Sequence, residues 1–140
     1  MNVQKIFDEM NVIDGLKVDT ILFEEHYPVL FTCTANQDVY LFICIQVTSQ
    51  EITWIASKTC YPTLIKMLQN EMTIRDSFLS GSHYHYIFRY KGKNKPLYYT
   101  HTTLIPDDWL PTQGEYINAE NGEFAKEIEE FTNRQKRHPF

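Results

Sequence analysis

Two histidines lie one residue apart in the sequence GSHYHYIFRY, residues 81–90. Alternate residues of a β-strand project from the same face about 7 Å apart, so His83 and His85 are close enough to share a metal ion. His101 is a candidate third ligand, provided that strand pairing brings it opposite His85. A catalytic zinc uses three protein ligands and an open position, and nearby carboxylates usually orient its histidines.

Carboxylates are scarce around these histidines. None occurs between Asp76 and Asp107, so a supporting carboxylate would have to come from a distant part of the chain. Histidines on a half-exposed strand are more often polar surface residues than ligands. We therefore expect no metal and no cofactor, and we keep a metal-binding protein or metal-dependent enzyme using His83, His85 and His101 as the alternative.

Residues capable of covalent chemistry lack the sequence context that catalysis needs. Cys60, Ser57 and Ser82 are the candidate nucleophiles, and none lies in a G-x-S-x-G or similar strand-turn-helix motif. The five glycines are isolated and form no phosphate-binding G-x-G-x-x-G or Walker pattern. The adjacent Asp107 and Asp108 follow a proline, which is typical of the first turn of a helix. We expect the chain not to be an enzyme.

The stretch Ser57–Thr59 joins a predicted strand to a predicted helix. A helix N-terminus presents backbone N–H groups that favour anions, and Lys58 adds positive charge beside it. A sensor of a small anionic ligand at this joint is therefore a further alternative.

Composition limits the class of protein. The chain has 140 residues, 43% of them hydrophobic and 22% charged, as in folded soluble domains with one core. Its three cysteines form no C-x-x-C pair and indicate free thiols in a reducing compartment. The longest apolar run, residues 39–45, is far shorter than the ~20 residues of a membrane-spanning helix. Residues 1–10 lack the features of a signal peptide, so we expect a cytoplasmic protein.

Negative charge is concentrated in one part of the chain. Residues 106–131 contain eight acids and one lysine, a local charge of −7, whereas the whole chain carries −5. Such a segment repels phosphate backbones and disfavours general nucleic-acid binding. It favours a basic protein as partner, because complementary charge accelerates encounter.

Hydrophobic periodicity predicts the elements that position these residues. Over residues 16–59, apolar alternation with short polar breaks predicts a meander of three or four antiparallel strands. Pro62 and an apolar stripe then predict a helix with Thr59 as its cap, and a second, shorter helix is predicted over residues 73–79.

The second half of the chain predicts fewer elements. Strands over residues 84–90 and 96–104 flank a lysine-rich loop and form a predicted hairpin. A last helix is predicted around residues 122–134, where three apolar residues recur at i, i+4 and i+7.

Together these elements predict a single α+β domain spanning residues 1–140. It contains an antiparallel sheet of five or six strands, a helical pair after the fourth strand and a C-terminal helix. Residues 16–105 form the sheet and helical-pair core, and residues 106–140 form an acidic C-terminal loop and helix.

Part of the chain resembles a known group of proteins. The runs PVLFTC (28–33), YLFICI (40–45), WIASKT (54–59) and L-x-x-M-L-Q-N-E-M-T-I-R-D-S-F (64–78) carry the resemblance. They are similar to an uncharacterised family of small bacterial α+β proteins, a domain of unknown function, in which a strand meander leads into an S-x-R-D-x-F-like helix. The resemblance covers about residues 16–80. It implies a small α+β domain from bacteria or their mobile elements, and it implies no catalytic residues.

Aromatic residues are crowded onto the predicted hairpin. Tyr and Trp are enriched at protein interfaces because they combine a large contact area with a polar group. The alternatives are that the tyrosines pair across the sheet and that the apolar stripe of the last helix packs on its own domain. The residues predicted to bind a partner are Tyr84, Tyr86, Tyr90, Tyr98, Tyr99, Trp109, Phe124, Ile128 and Phe131.

These observations predict a non-enzymatic protein-binding module that acts through an acidic, aromatic-rich surface. Proteins of this kind include antitoxins, immunity proteins and phage-related regulators. The expected partner is a protein such as a basic toxin or nuclease, with a homodimer as a further option. We expect no interaction with a membrane.

Overall fold

A six-stranded antiparallel sheet forms the centre of the structure, and its strands lie side by side in chain order. The computed structural model describes residues 2–82, 84–92 and 98–137, apart from the side chains of Tyr98, Tyr99 and His101. The strands are β1 (Lys17–Glu24), β2 (Pro28–Ala35), β3 (Asp38–Val47), β4 (Ile52–Thr59), β5 (His85–Tyr90) and β6 (Tyr98–Thr102). Short turns join β1 to β2, β2 to β3 and β3 to β4. Turns of this length can connect only antiparallel neighbours.

Helices flank both faces of this sheet, which confirms the predicted α+β class. Those in the described ranges are α1 (Val3–Met10), α2 (Tyr61–Leu68), α3 (Ile74–Leu79) and α4 (Ala125–Arg137), with a single 3-10 turn at Asp107–Trp109. Helices α2 and α3 connect β4 to β5 and confirm the predicted pair, whereas α1 is an addition to the predicted elements. None of these helices has the length and apolar character that crossing a bilayer requires.

One face of the sheet packs against α1. Phe7 projects from α1 into a cluster of aromatic rings, with its ring centroid 5.2 Å from those of both Phe42 and Trp54. Phe31 and Phe88 complete the cluster at about the same depth and are fully buried. Burying each such side chain contributes about 1.5–3 kcal/mol, and α1 is anchored by Phe7 together with Val3, Ile6 and Met10.

The opposite face of the sheet packs against α2, α3 and α4. Its fully or almost fully buried residues come from the strands, the helical pair, Ile105 and the C-terminal helix, so distant parts of the chain meet in one core. The largest are Leu41, Ile55, Leu64, Met67, Leu68, Phe78 and Phe131. We refer to this side as the α2-side core and to the other as the α1-side core.

The boundaries of the helical pair follow local rules. Thr73 caps α3 as predicted, because its hydroxyl accepts a hydrogen bond from the Asp76 N–H. The prediction of Thr59 as the α2 cap is wrong: β4 continues through Thr59, and Cys60 occupies the cap position without a side-chain hydrogen bond. Pro62 lies in the first turn of α2, where its missing N–H has no helical partner to lose.

The acidic C-terminal segment is attached to the helical pair before it reaches α4. The Arg75 guanidinium donates to the Pro111 carbonyl oxygen at 3.1 Å and forms an ion pair with the Asp107 carboxylate. The Asn70 side chain forms two hydrogen bonds with the backbone of Ala119, of 3.0 and 2.9 Å. The segment is therefore part of the domain, and its acids are displayed from a fixed backbone.

Candidate functional site

Strands β5 and β6 do not assemble the predicted histidine cluster. The register pairs His85 with Thr102 and Tyr86 with His101, so His101 is not opposite His85 as a shared metal site would require. His83 lies outside the described residues. Within the part of the chain that the structure describes, no group of three or more His, Cys, Asp or Glu residues is placed to hold a metal ion.

His85 instead forms a buried pair with Ser57. The His85 Nδ1 atom lies 3.2 Å from the Ser57 Oγ atom, and the imidazole stacks on the Phe78 ring with centroids 5.2 Å apart. Burial lowers the pKa of His85, because the protonated ring would lose its hydration. Ser57 is fully buried, so its hydroxyl does not reach the protein surface. The pair connects β4 to β5 beneath α3, which is a structural role.

The cysteines also have structural environments. Cys33 and Cys44 are buried in the α1-side core, where burial raises the pKa of the Cys44 thiol to about 11. Such thiols stay protonated and behave as small apolar groups. Cys60 is exposed, and its sulfur lies 3.3 Å from the Thr63 hydroxyl.

The strand-to-helix joint predicted to bind an anion lies on a cleft of about 870 Å³. Ser57 does not line this cleft, and the Lys58 ammonium is 3.2 Å from the Asp38 carboxylate. Across the cleft, Arg134 forms an ion pair with Asp19. Among the described residues, these carboxylates pair with two of the three cations that line the cleft, Lys58 and Arg134, and Arg137 is the third. The anion-sensor alternative therefore has only Arg137 as a described lining cation outside these ion pairs.

The hairpin tyrosines differ in their exposure. Tyr84 is 51% exposed. Tyr86 and Tyr90 are partly buried against the α1-side core, and the Tyr90 hydroxyl donates to a glutamate of α1 at 3.3 Å. The side chains of Tyr98 and Tyr99 lie outside the described residues. The described tyrosines therefore fit the alternative of packing on the sheet better than a continuous binding face.

The apolar stripe of α4 packs on its own domain. Phe131 is fully buried, with its ring centroid 5.4 Å from that of Tyr61 on α2. Phe124 and Ile128 are partly buried against the same core. Phe131 is thus a core residue, and the stripe is the surface by which α4 is anchored.

An open groove of about 750 Å³ lies between the α2-side face of β1 to β3 and the loop of residues 108–118. The floor is formed by apolar strand residues, and the walls combine aromatic side chains with polar ones such as Gln46, Thr112 and Asn118. We call this feature the apolar groove, and the residues that characterise it are Leu30, Ile43, Ile45, Phe23, Trp109 and Tyr116.

The walls of the apolar groove combine exposed rings with a fixed backbone. Phe23 is 54% exposed and Tyr116 is 39% exposed, which is unusual for such large side chains in one concavity. Trp109 is held by the Arg89 guanidinium, 5.4 Å from its ring centroid. The Ile74 N–H donates to the backbone carbonyl of residue 115 at 3.1 Å, so α3 holds the loop in place. The groove is therefore preformed.

The charges of the apolar groove have one sign. Of the described residues that line it, Asp108 and Glu115 are acidic and none is basic. Glu24 and Glu25 follow Phe23 directly in the chain and are exposed. The charged side chains that line the groove are thus acidic, while cations contact its wall: Arg89 lies over the Trp109 ring and Arg75 donates to the Pro111 carbonyl oxygen.

Two of the wall residues, Phe23 and Tyr116, are absent from the predicted binding set, whereas Trp109 belongs to it. The signal for Phe23 is the run ILFEE, in which three consecutive apolar residues interrupt the alternation of β1. Such an interruption indicates a β-bulge, and the structure has a register shift between Ile21 and Phe23. Tyr116 has no comparable local signal, because its position depends on the attachment of the loop to α3.

The comparisons with known proteins leave the site to be judged on its geometry. No family model, curated protein or solved structure matches the chain. The resemblance of residues 16–80 to a family of small bacterial proteins therefore stays a prediction.

Proposed function

We propose that this chain is a non-enzymatic protein-binding module and that the apolar groove is its binding surface. The observation that carries the proposal is the exposure of Phe23 and Tyr116 in a preformed concavity whose charged lining residues are acidic. Aromatic anchors surrounded by polar groups dominate the binding energy of many protein interfaces. A preformed site also loses less conformational entropy when a partner binds.

The charge of the molecule supports a basic partner. The acidic lining of the groove belongs to the segment of residues 106–131, which carries −7. An acidic surface of this kind can cover the basic face of a toxin or nuclease, which would be the role of an antitoxin or immunity protein. We propose that biological setting for the module.

Affinity capture with matched variants tests the proposal. The baits are the wild-type chain, a double variant in which Phe23→Ser and Tyr116→Ser are combined, and Leu104→Ser. Leu104 is 79% exposed and does not line the groove, so it controls for the loss of an exposed apolar side chain. We expect the wild type and Leu104→Ser to retain one protein from a lysate of the source cells. The double variant should not retain that protein.

Calorimetry with that captured protein in purified form provides the quantitative test. The double variant should bind at least about tenfold more weakly, because each lost aromatic anchor at an interface typically reduces the binding free energy by about 1–2 kcal/mol. Leu104→Ser should bind like the wild type. Equal affinity of all three baits would show that the groove is not the binding surface.

A further inference from the structure

Among the strands that the structure describes, β1 lies at one edge of the sheet and pairs with β2 alone. Edge strands present unpaired N–H and C=O groups that can pair with another extended chain. The beginning of this edge is closed: the Gln4 side chain accepts from the Val18 N–H at 2.6 Å and donates to the Leu16 carbonyl oxygen at 3.0 Å. Asp19 is engaged by Arg134 of α4.

The remainder of the edge, Thr20–Glu24, is open. Among the described residues, no group outside β2 forms a hydrogen bond with the backbone of this stretch. The stretch also carries two large exposed apolar side chains, Ile21 at 44% and Phe23 at 54%. Open backbone groups and exposed apolar side chains therefore occur together in one short segment.

Ile21 and Phe23 lie on opposite faces of the sheet. Ile21 is paired with Phe31 of the α1-side core, whereas Phe23 is paired with Leu30 of the α2-side core. A ligand confined to the apolar groove would contact Phe23 and leave Ile21 exposed. A strand added to β1 would send alternate side chains to both faces and would cover both residues.

We infer that the partner binds β1 as an extended segment, which pairs with Thr20–Glu24 and becomes a seventh strand. Alternate side chains of this segment would enter the apolar groove, and the others would cover Ile21. The inference rests on the proposed function and specifies its partner. Two register shifts, between Ile21 and Phe23 and between Phe23 and Glu24, twist β1, so the paired segment is short, at most about five residues.

The charges around the edge determine the chemistry of this segment. The exposed Glu24 and Glu25 stand at the end of β1, and Asp108 and Glu115 line the groove beside it. A segment with apolar residues in alternation, flanked by lysine or arginine, is complementary to this environment. A second copy of the chain is a poorer occupant, because it would bring the same acids and a net charge of −5.

A synthetic peptide of sequence KVTVTVTVK is the probe. Its binding to the intact protein is followed by fluorescence anisotropy and by the amide resonances of Thr20–Glu24. Two further peptides carry N-methyl groups, one on the valines and one on the threonines. In an extended segment, only alternate N–H groups face the neighbouring strand, so one methylated peptide should bind at least about tenfold more weakly and the other should bind normally.

The protein variants distinguish strand pairing from simple occupation of the groove. Ile21→Ser and Phe23→Ser should both weaken peptide binding severalfold, whereas Leu104→Ser should not. If Phe23→Ser releases the captured partner but Ile21→Ser does not, and both methylated peptides bind equally, strand pairing is wrong and the proposed function survives.

Other results would overturn the inference more broadly. If the peptide does not shift the amides of Thr20–Glu24 even at high concentration, and Phe23→Ser retains the captured partner, both strand pairing and the assignment of the groove as the binding surface are wrong. If ultracentrifugation reveals a dimer that Ile21→Ser dissociates, the edge is occupied by a second copy and the inferred basic partner is wrong.

Discussion

At residue 85, an imidazole is enclosed between a serine hydroxyl and an aromatic ring. The His85 ring contacts the Ser57 hydroxyl on β4 and the Phe78 ring on α3, and neither group carries a charge that would stabilise a protonated ring. Burial therefore lowers the pKa of His85. The residue acts as a neutral polar group within the α2-side core, and its protonation state is coupled to folding.

Acidification should destabilise the fold through His85. The folded pKa lies below the unfolded value of about 6.5, so the unfolded chain binds the proton more readily. Above the unfolded pKa, the neutral ring makes its full contribution to the free energy of unfolding. This contribution decreases as the pH falls from the unfolded pKa through the folded pKa. Urea unfolding should show that, between about pH 8 and pH 5, the free energy of unfolding decreases less for His85→Gln than for the wild type.

The exposed His26 provides the matched control for this experiment. His26→Gln should keep the pH dependence of the wild type. If His85→Gln also keeps it, the buried imidazole is not responsible for the acid sensitivity.

At the scale of elements, α4 and the turn between α3 and β5 depend on a few close contacts. Phe131 anchors α4, and Gly81 lets its turn approach the end of β4. A Cβ atom at Gly81 would lie 2.1 Å from the Lys58 carbonyl oxygen and 3.1 Å from the Thr59 Cα atom. Both contacts involve backbone, which cannot move aside as the end of a flexible side chain can.

Truncation of the α4 anchor should destabilise the domain strongly. Phe131→Ala should lower the free energy of unfolding by about 3–5 kcal/mol, because it leaves a cavity in the α2-side core. Phe23→Ala removes an equal volume from an exposed position and should cost much less. Chemical denaturation of the two variants checks this difference. Similar losses would mean that α4 is not anchored through Phe131.

Gly81→Ala should be destabilising even though alanine is the smallest possible addition. The displaced backbone should cost about 1–3 kcal/mol, in the range of overpacked cores. Thermal unfolding should show the loss for Gly81→Ala and little change for Ser80→Ala, the exposed neighbouring residue. Wild-type stability of Gly81→Ala would contradict the close approach of this turn to β4.

At the scale of the whole molecule, charge is divided between a nearly neutral body and an acidic segment. Residues 106–131 carry −7, and Arg75 and Asn70 attach this segment to the helical pair. Its negative field therefore has a fixed direction with respect to the apolar groove. In the function that we propose, this field guides a basic partner to the groove.

Neutralising the groove acids should slow association with the captured partner. The double variant combining Asp108→Asn and Glu115→Gln should decrease the association rate constant severalfold at low salt, and the difference should diminish as salt screens the charges. Glu129→Gln together with Glu130→Gln removes the same charge from α4, outside the groove lining, and should have a smaller effect. Stopped-flow measurements at several salt concentrations check both expectations. If the two double variants decrease the association rate constant equally, the net charge of the protein determines the rate and the position of the acids in the groove does not.

Local patterns in the sequence determined much of this fold. The alternation of residues 16–59 predicts the meander, Thr73 predicts the start of α3, and the i, i+4, i+7 spacing ending at Phe131 predicts α4. The helix α4 begins at Ala125, three residues later than predicted, because turns occupy the residues immediately before it. These features depend on neighbours within one or two turns of chain, so a single sequence contains the necessary information.

Tertiary structure alone decided the site. A pattern with a period of two residues reads equally well in two registers, and only the pairing of β5 with β6 places His101 opposite Tyr86 and away from His85. The bulge in β1 and the attachment of residues 107–119 to α2 and α3 then expose Phe23 and Tyr116 in one groove. These contacts join residues far apart in the chain, and their relative energies do not appear in any local pattern.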